Sequence, residues 1–130
     1  MKKIFLISCL VTLLTGCDPE KCSSFHLANY SETNVNIYFV SQDTIIFKNI
    51  YQDSKIPFGS KYCDMGGGSI LYMALYDSIY ITDFSNNILK VYKEDTPGKN
   101  IYNIDEYWSV NNPSKHDYEY IYEINEEDFQ

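Results

Sequence analysis

Tyr118-Glu119-Tyr120-Ile121-Tyr122-Glu123-Ile124-Asn125 alternates without a break. Tyr118, Tyr120, Tyr122 and Ile124 fall on one side and Glu119, Ile121, Glu123 and Asn125 on the other, which is the two-residue period of a β-strand. The aromatic side is expected to face a core and the acidic side water. The same period recurs upstream. Ser24 to Asn29 reads as a first strand, and Asn34 to Val40 sets Val35, Ile37 and Phe39 against Asn36, Tyr38 and Val40. Thr44 to Ile50 follows the turn-like Ser41-Gln42-Asp43, which predicts a hairpin. Ser78 to Phe84 and Ile88 to Lys93 flank a second turn at Asp83 to Asn87. Ile70 to Tyr76 is apolar on both sides and reads as a central strand.

The remaining segments read as connections. Tyr51 to Ser69 holds Pro57, Gly59 and Gly66-Gly67-Gly68, and reads as a loop with one short strand near Ser60 to Cys63. Thr96-Pro97-Gly98 breaks the pattern, and Asn111 to Asp117 reads as a polar loop. Ile104 to Trp108 is long enough for one helical turn, with Asn103 and Glu106 spaced as a capping box. No helix of ten residues or more is predicted, and no repeat is present. About seven short strands predict an all-β fold, a single antiparallel β-sandwich of immunoglobulin-like type. An immunoglobulin core would normally place its tryptophan between two cysteines, whereas Trp108 lies beyond both Cys22 and Cys63.

The chain has 130 residues, 10 Lys+Arg against 18 Asp+Glu, and no arginine. A formal charge of −8 argues against nucleic acid, whose phosphates need clustered basic side chains. With 45% hydrophobic and 16% aromatic residues it is too apolar for a disordered chain.

Met1-Lys2-Lys3, then the apolar run Ile4 to Leu14, has the length of a signal peptide and is too short to span a bilayer. It meets Leu14-Thr15-Gly16-Cys17, which resembles the lipobox of bacterial lipoproteins. That resemblance implies cleavage after residue 16 and a lipid on Cys17, so the membrane is contacted through the anchor. The expected organisation is a signal peptide at 1–16, a lipidated tether at 17–24 and a β-sandwich domain at 25–130. Cleavage removes Lys2 and Lys3, which moves the formal charge from −8 to −10 and favours a domain that stands off an anionic surface. Asp77 to Phe84, Ile88 to Lys93, Gly98 to Asn103 and the ending Tyr120 to Phe129 resemble small uncharacterised lipoproteins of Bacteroides and related Bacteroidota. The resemblance implies a lipid-anchored protein of the bacterial outer membrane with a β fold, on the cell surface or the periplasmic face. It carries no activity.

Cys9 leaves with the signal peptide and Cys17 takes the lipid, so Cys22 and Cys63 are the pair available for a disulfide in an oxidising compartment. No cofactor and no metal site are expected, because CxxC spacing is absent and His26 and His116 are far apart. Asp83, Asn86 and Asn87 offer oxygen atoms in one turn but lack the EF-hand spacing. The triple glycine is followed by a strand pattern and no nearby lysine, so it reads as a turn and not a phosphate loop. No serine or cysteine stands in a motif with either histidine, and no catalysis is expected. Asp43-Thr44-Ile45 and Asp77-Ser78-Ile79 match an O-glycosylation pattern that the resemblance implies, at Thr44 and Ser78. Tyr51, Tyr62, Tyr102 and Tyr107 lie in partly polar loops and are the candidate binding surface for a glycan or protein ligand. The expected role is a non-catalytic binding or accessory module. A periplasm-facing structural or toxin-immunity lipoprotein is the alternative, since an acidic chain suits a basic partner.

Overall fold

Alternating apolar residues build nine strands in the described part of the computed structural model, which covers residues 19–65 and 71–130. They are β1 (Lys21–Asn29), β2 (Val35–Val40), β3 (Ile45–Ile50), β4 (Ser54–Pro57), β5 (Tyr62–Asp64), β6 (Ser78–Asp83), β7 (Ile88–Tyr92), β8 (Ser109–Ser114) and β9 (Asp117–Ile124). One helical turn, α1 (Ile104–Tyr107), precedes β8, and 3₁₀ turns lie at Met73–Leu75 and Glu126–Phe129. The signal segment 1–16, Cys17 and Gly66 to Gly68 lie outside the described residues.

The strands form two sheets that pack as an all-β sandwich. One has the order β4-β1-β9-β8, with β5 also pairing β1, and the other has the order β3-β2-β6-β7. Every pairing is antiparallel except β1 with β9, which is parallel over Cys22↔Asp117 to Asn29↔Ile124. The order differs from an immunoglobulin constant domain, whose first strand pairs its second. Here the first strand lies between β4/β5 and β9, and Cys22–Cys63 joins neighbours in one sheet.

The core is built from Phe25 and Leu27 of β1, Val35, Ile37 and Phe39 of β2, Ile79 and Ile81 of β6, and Tyr122 and Ile124 of β9. Two contacts fix how the sheets lie on one another. The Asn29 amide donates to the Ile50 carbonyl at 3.1 Å, beside Val35. Phe58 donates its N–H to the Phe25 carbonyl and stacks on Phe39 at 4.4 Å. Moving four residues along β1 thus matches moving four along β2, so the strands are aligned and the start of β1 shares an end with the β2–β3 turn. Trp108 closes the middle, its indole donating to the Ile101 carbonyl at 2.8 Å. The chain's end is held by Lys99, whose ammonium donates to Asp128 at 2.7 Å and to the Glu123 carbonyl at 2.6 Å.

Several expectations are corrected. β1 starts at Lys21 rather than Ser24, because Cys22 pairs with both Cys63 and Asp117, so the tether expected at 17–24 gives up its last four residues to a strand. The Tyr51–Ser69 loop contains β4 as well as β5; β4 ends on Pro57, tolerated on an edge strand. The polar segment read as the Asn111–Asp117 loop is mostly strand β8, an exposed edge with Pro113 in it. Ile70 lies outside the described residues, and over Leu71 to Tyr76 the expected central strand is replaced by a 3₁₀ turn at Met73–Leu75, where only Met73 is buried. An apolar run without alternation fits that turn as well as a strand. The capping box at Asn103 does not form: its side-chain amide donates to Glu106 at 2.8 Å, and no side-chain bond caps the turn.

The disulfide closes a separation of 41 residues. On the chain-entropy account such a loop stabilises the fold by about 4 kcal/mol. Cys63→Ser, or reduction, is expected to lower the midpoint of thermal unfolding by on the order of 15 °C, read by circular dichroism.

Candidate functional site

The two sheets turn different chemistry outward. On the five-stranded sheet the outward side chains carry charge and are paired. Lys55 donates to Glu119 at 2.6 Å, Lys61 reaches Asp117 at 2.9 Å, and Ser114 donates to Asp117. The Lys55 ammonium holds Glu119 below the usual carboxylate range, and Ser114 with Lys61 does the same for Asp117. His26 Nδ1 is 3.4 Å from Glu119 and makes no hydrogen bond. His116 sits in the tight β8–β9 turn with a φ of 68°, and its carbonyl accepts the Cys22 N–H at 2.8 Å. The two histidines therefore lie among structural contacts. Among the described residues no group of three or more His, Cys, Asp or Glu could hold a metal ion.

On the four-stranded sheet the outward positions carry no charged side chain. The registers of β3, β2, β6 and β7 align them in rows. Ile45, Val40 and Ser78 form the first row. Phe47, Tyr38, Tyr80 and Val91 form the second, and Asn49, Asn36, Thr82 and Ile88 the third. Tyr51 and Phe84 continue the face just past β3 and β6, 5.5 Å apart and edge to face. In the second row Tyr38 stacks on Tyr80 at 4.5 Å and 10°, with Phe47 on its other side at 4.9 Å. Phe47 is 46% exposed and Val91 45%. Ile45, Tyr51, Phe84 and Ile88 are exposed too.

Side-chain hydrogen bonds link the strands of this face. Asn49 donates to the Asn36 side chain at 2.8 Å, and Asn36 donates to Thr82 at 3.3 Å and to the Asp83 carbonyl at 3.1 Å. Asn36 and Thr82 are buried and hydrogen-bonded while Asn49 is exposed, so the third row is a polar seam that opens to solvent at its β3 edge. The β2–β3 turn closes through the Ser41 N–H and the Thr44 carbonyl at 2.9 Å. The β6–β7 turn closes on Asp83, whose carboxylate accepts from the Ser85 and Asn87 N–H groups and the Asn87 amide. Those donors, Asn87 foremost, lower the Asp83 pKa. They also occupy the carboxylate that a calcium ion in this turn would need.

The four candidate tyrosines do not form one surface. Tyr51 lies on the uncharged face. Tyr62 is half-buried in β5. Tyr102 and Tyr107 pack against the core. The Tyr102 hydroxyl donates to the Tyr76 carbonyl at 3.0 Å, and burial pushes its pKa up to about 12. The structure does not bring the four together, because the loop carrying Tyr102 and Tyr107 folds inward around Trp108, and only Tyr51 adjoins the uncharged sheet face. Tyr38, Phe47, Tyr80 and Phe84 are the aromatic residues of this outer face that a reading of the loops does not pick out. The available signal was that Asn34–Val40, Thr44–Ile50 and Ser78–Phe84 place no charge among their outward positions. Thr44 is exposed in the β2–β3 turn and Ser78 half-buried at the start of β6, both at the first-row end of this face.

Comparison with known proteins gives no matching family model, no matching curated protein and no matching solved structure. Among the described residues no helix is long and apolar enough to cross a membrane.

Glu119 also sets a pH dependence. Its folded pKa is depressed, so the unfolded chain binds the proton first and the stabilisation is present above the unfolded value, about 4.3. It is lost as pH falls through the folded value. The urea midpoint of the wild type is expected to drop between pH 6 and pH 3. Glu119→Gln is expected to start lower at pH 6 and to fall less over the same interval.

Proposed function

We propose that this chain is a lipid-anchored module of the bacterial outer membrane that works by docking a protein partner and not by catalysis. The uncharged outer face of the four-stranded sheet carries this reading. The largest apolar patch on a protein surface is often functional, and aromatic enrichment with charge depletion is the composition of an interface core. The ring geometry favours protein over glycan. Stacking on a sugar needs a ring face turned outward, but both faces of Tyr38 are taken by Phe47 and Tyr80. Aliphatic Ile45, Ile88 and Val91 fill out the face and offer nothing to sugar hydroxyls. The lipobox-like Leu14-Thr15-Gly16-Cys17 supports the anchor, and a Cys22–Cys63 disulfide suits an exported chain.

Cys17→Ala is expected to move the chain from the membrane pellet to the soluble fraction; retention in the pellet would remove the anchor. The docking role is read on native gels of detergent-extracted envelopes. The wild-type chain should run in a species larger than itself, and Phe47→Asp should collapse it to monomer size. A wild-type chain already at monomer size overturns the docking role.

A further inference from the structure

Resting on that reading, we infer that the occupant of the uncharged face is a second copy of this chain, paired side by side in the same membrane about a two-fold axis along the strands. The anchor sets the orientation. β1 begins at Lys21, so residues 17–20 span at most about 14 Å and hold that end of the sandwich near the bilayer. The β2–β3 turn and the row of Ile45, Val40 and Ser78 share that end, because Phe58 ties Phe25 to Phe39 while Asn29 ties the far end to Ile50. The strands therefore lead away from the membrane and the uncharged face looks sideways along it.

Two copies can bring this face together about an axis along the strands or one across them. Only the first keeps both anchors at one membrane. It sets β3 opposite β7 of the other copy and β2 opposite its β6, with rows in step. Phe47 then meets Val91, Tyr38 meets Tyr80 and the buried Asn36 lies over Thr82, so the aromatic middle row meets itself, while Asn49 falls opposite Ile88 and Val40 opposite Ser78. A self-complementary patch is what a two-fold interface requires.

Charge points to the same occupant. Loss of Lys2 and Lys3 takes each processed copy from a formal −8 to −10, and Glu94-Asp95 and Glu126-Glu127 oppose approach through the surfaces that carry them. The uncharged face is where two acidic copies meet without burying a charge. Its extent is modest. Four strands about 4.8 Å apart and about seven residues long give roughly 450 Å² per copy, short of the ~800 Å² per partner of a standard interface. Pairing is therefore weak in free solution, and confinement of both anchors to one membrane raises the effective concentration that drives it.

The test is sedimentation equilibrium of the full, processed chain in density-matched detergent, with mass spectrometry of Cys17 on the same sample. The expected result is an acylated chain in reversible monomer–dimer equilibrium. Phe47→Lys and Val91→Glu should each weaken the dimer at least about tenfold, as a lone charge at an apolar contact does. Combined, they should restore it to within about threefold of wild type, because the two new charges meet across the axis. Circular dichroism matching the wild type keeps folding out of the comparison, since both side chains are exposed. An acylated wild type that is monomeric at every loading, or a double variant no better than the singles, overturns self-pairing. The docking role then stands if the larger species persists in envelopes. An unacylated Cys17 overturns the shared-membrane geometry itself.

Discussion

The parallel ladder between β1 and β9 is the constraint on which the rest depends. It joins residues 22–29 to residues 117–124, so nearly the whole chain is a loop that closes only when its two ends meet. β1 also pairs β4 and β5 on its other side, and its inward side chains start the core. Phe25 stacks on Tyr120 at 5.0 Å and meets Trp108 edge to face at 6.1 Å. A pairing of such separation closes late in folding, since the loop entropy precedes the reward. The Cys22–Cys63 bond sits at the same end of β1 and ties that strand covalently to β5.

With the core closed by one sheet's inner face on the other's, the outer faces are free to differ. The five-stranded sheet pairs its charges, Lys55 with Glu119 and Lys61 with Asp117, as a surface facing water does. The four-stranded sheet links Asn49, Asn36 and Thr82 by hydrogen bonds, burying the last two, and turns aromatic rings outward. Exposed apolar groups gain nothing for the folded monomer; covering them by another surface is what makes them favourable.

The sequence makes legible those strands whose two sides differ. β2, β3, β6, β7 and β9 alternate and lie within a residue or so of where the period puts them. β4 and β8 were illegible for opposite reasons. Ser54 to Pro57 sits among turn residues, and Ser109 to Ser114 is exposed throughout, so their strand state comes from the backbone of β1 and β9. The Ile70–Tyr76 run failed because apolar residues on both sides carry no period, and the single buried Met73 is a tertiary outcome. Loops carry function more often than strands, so a sequence reading points to Tyr51, Tyr62, Tyr102 and Tyr107 before the strand tyrosines. Which tyrosines stay outside is decided by the Asn100–Trp108 loop folding inward, a contact no local pattern encodes.

The 13 tyrosines show how one residue type serves three environments. Tyr92 and Tyr122 are fully buried, and the Tyr122 hydroxyl donates to Tyr92 at 3.2 Å, which satisfies a polar atom the core could not otherwise hold. Burial raises both pKa values, Tyr92 to about 12. Tyr102 stands between, its ring on the core and its hydroxyl on a backbone carbonyl. Tyr38 and Tyr80 stack against each other on the outside, where their apolar area faces solvent in part. The acidic remainder of the chain makes that exposure tolerable. Like charge opposes approach in orientations that would bury a carboxylate, and the outer face of the four-stranded sheet is a surface through which apolar attraction can act without doing so.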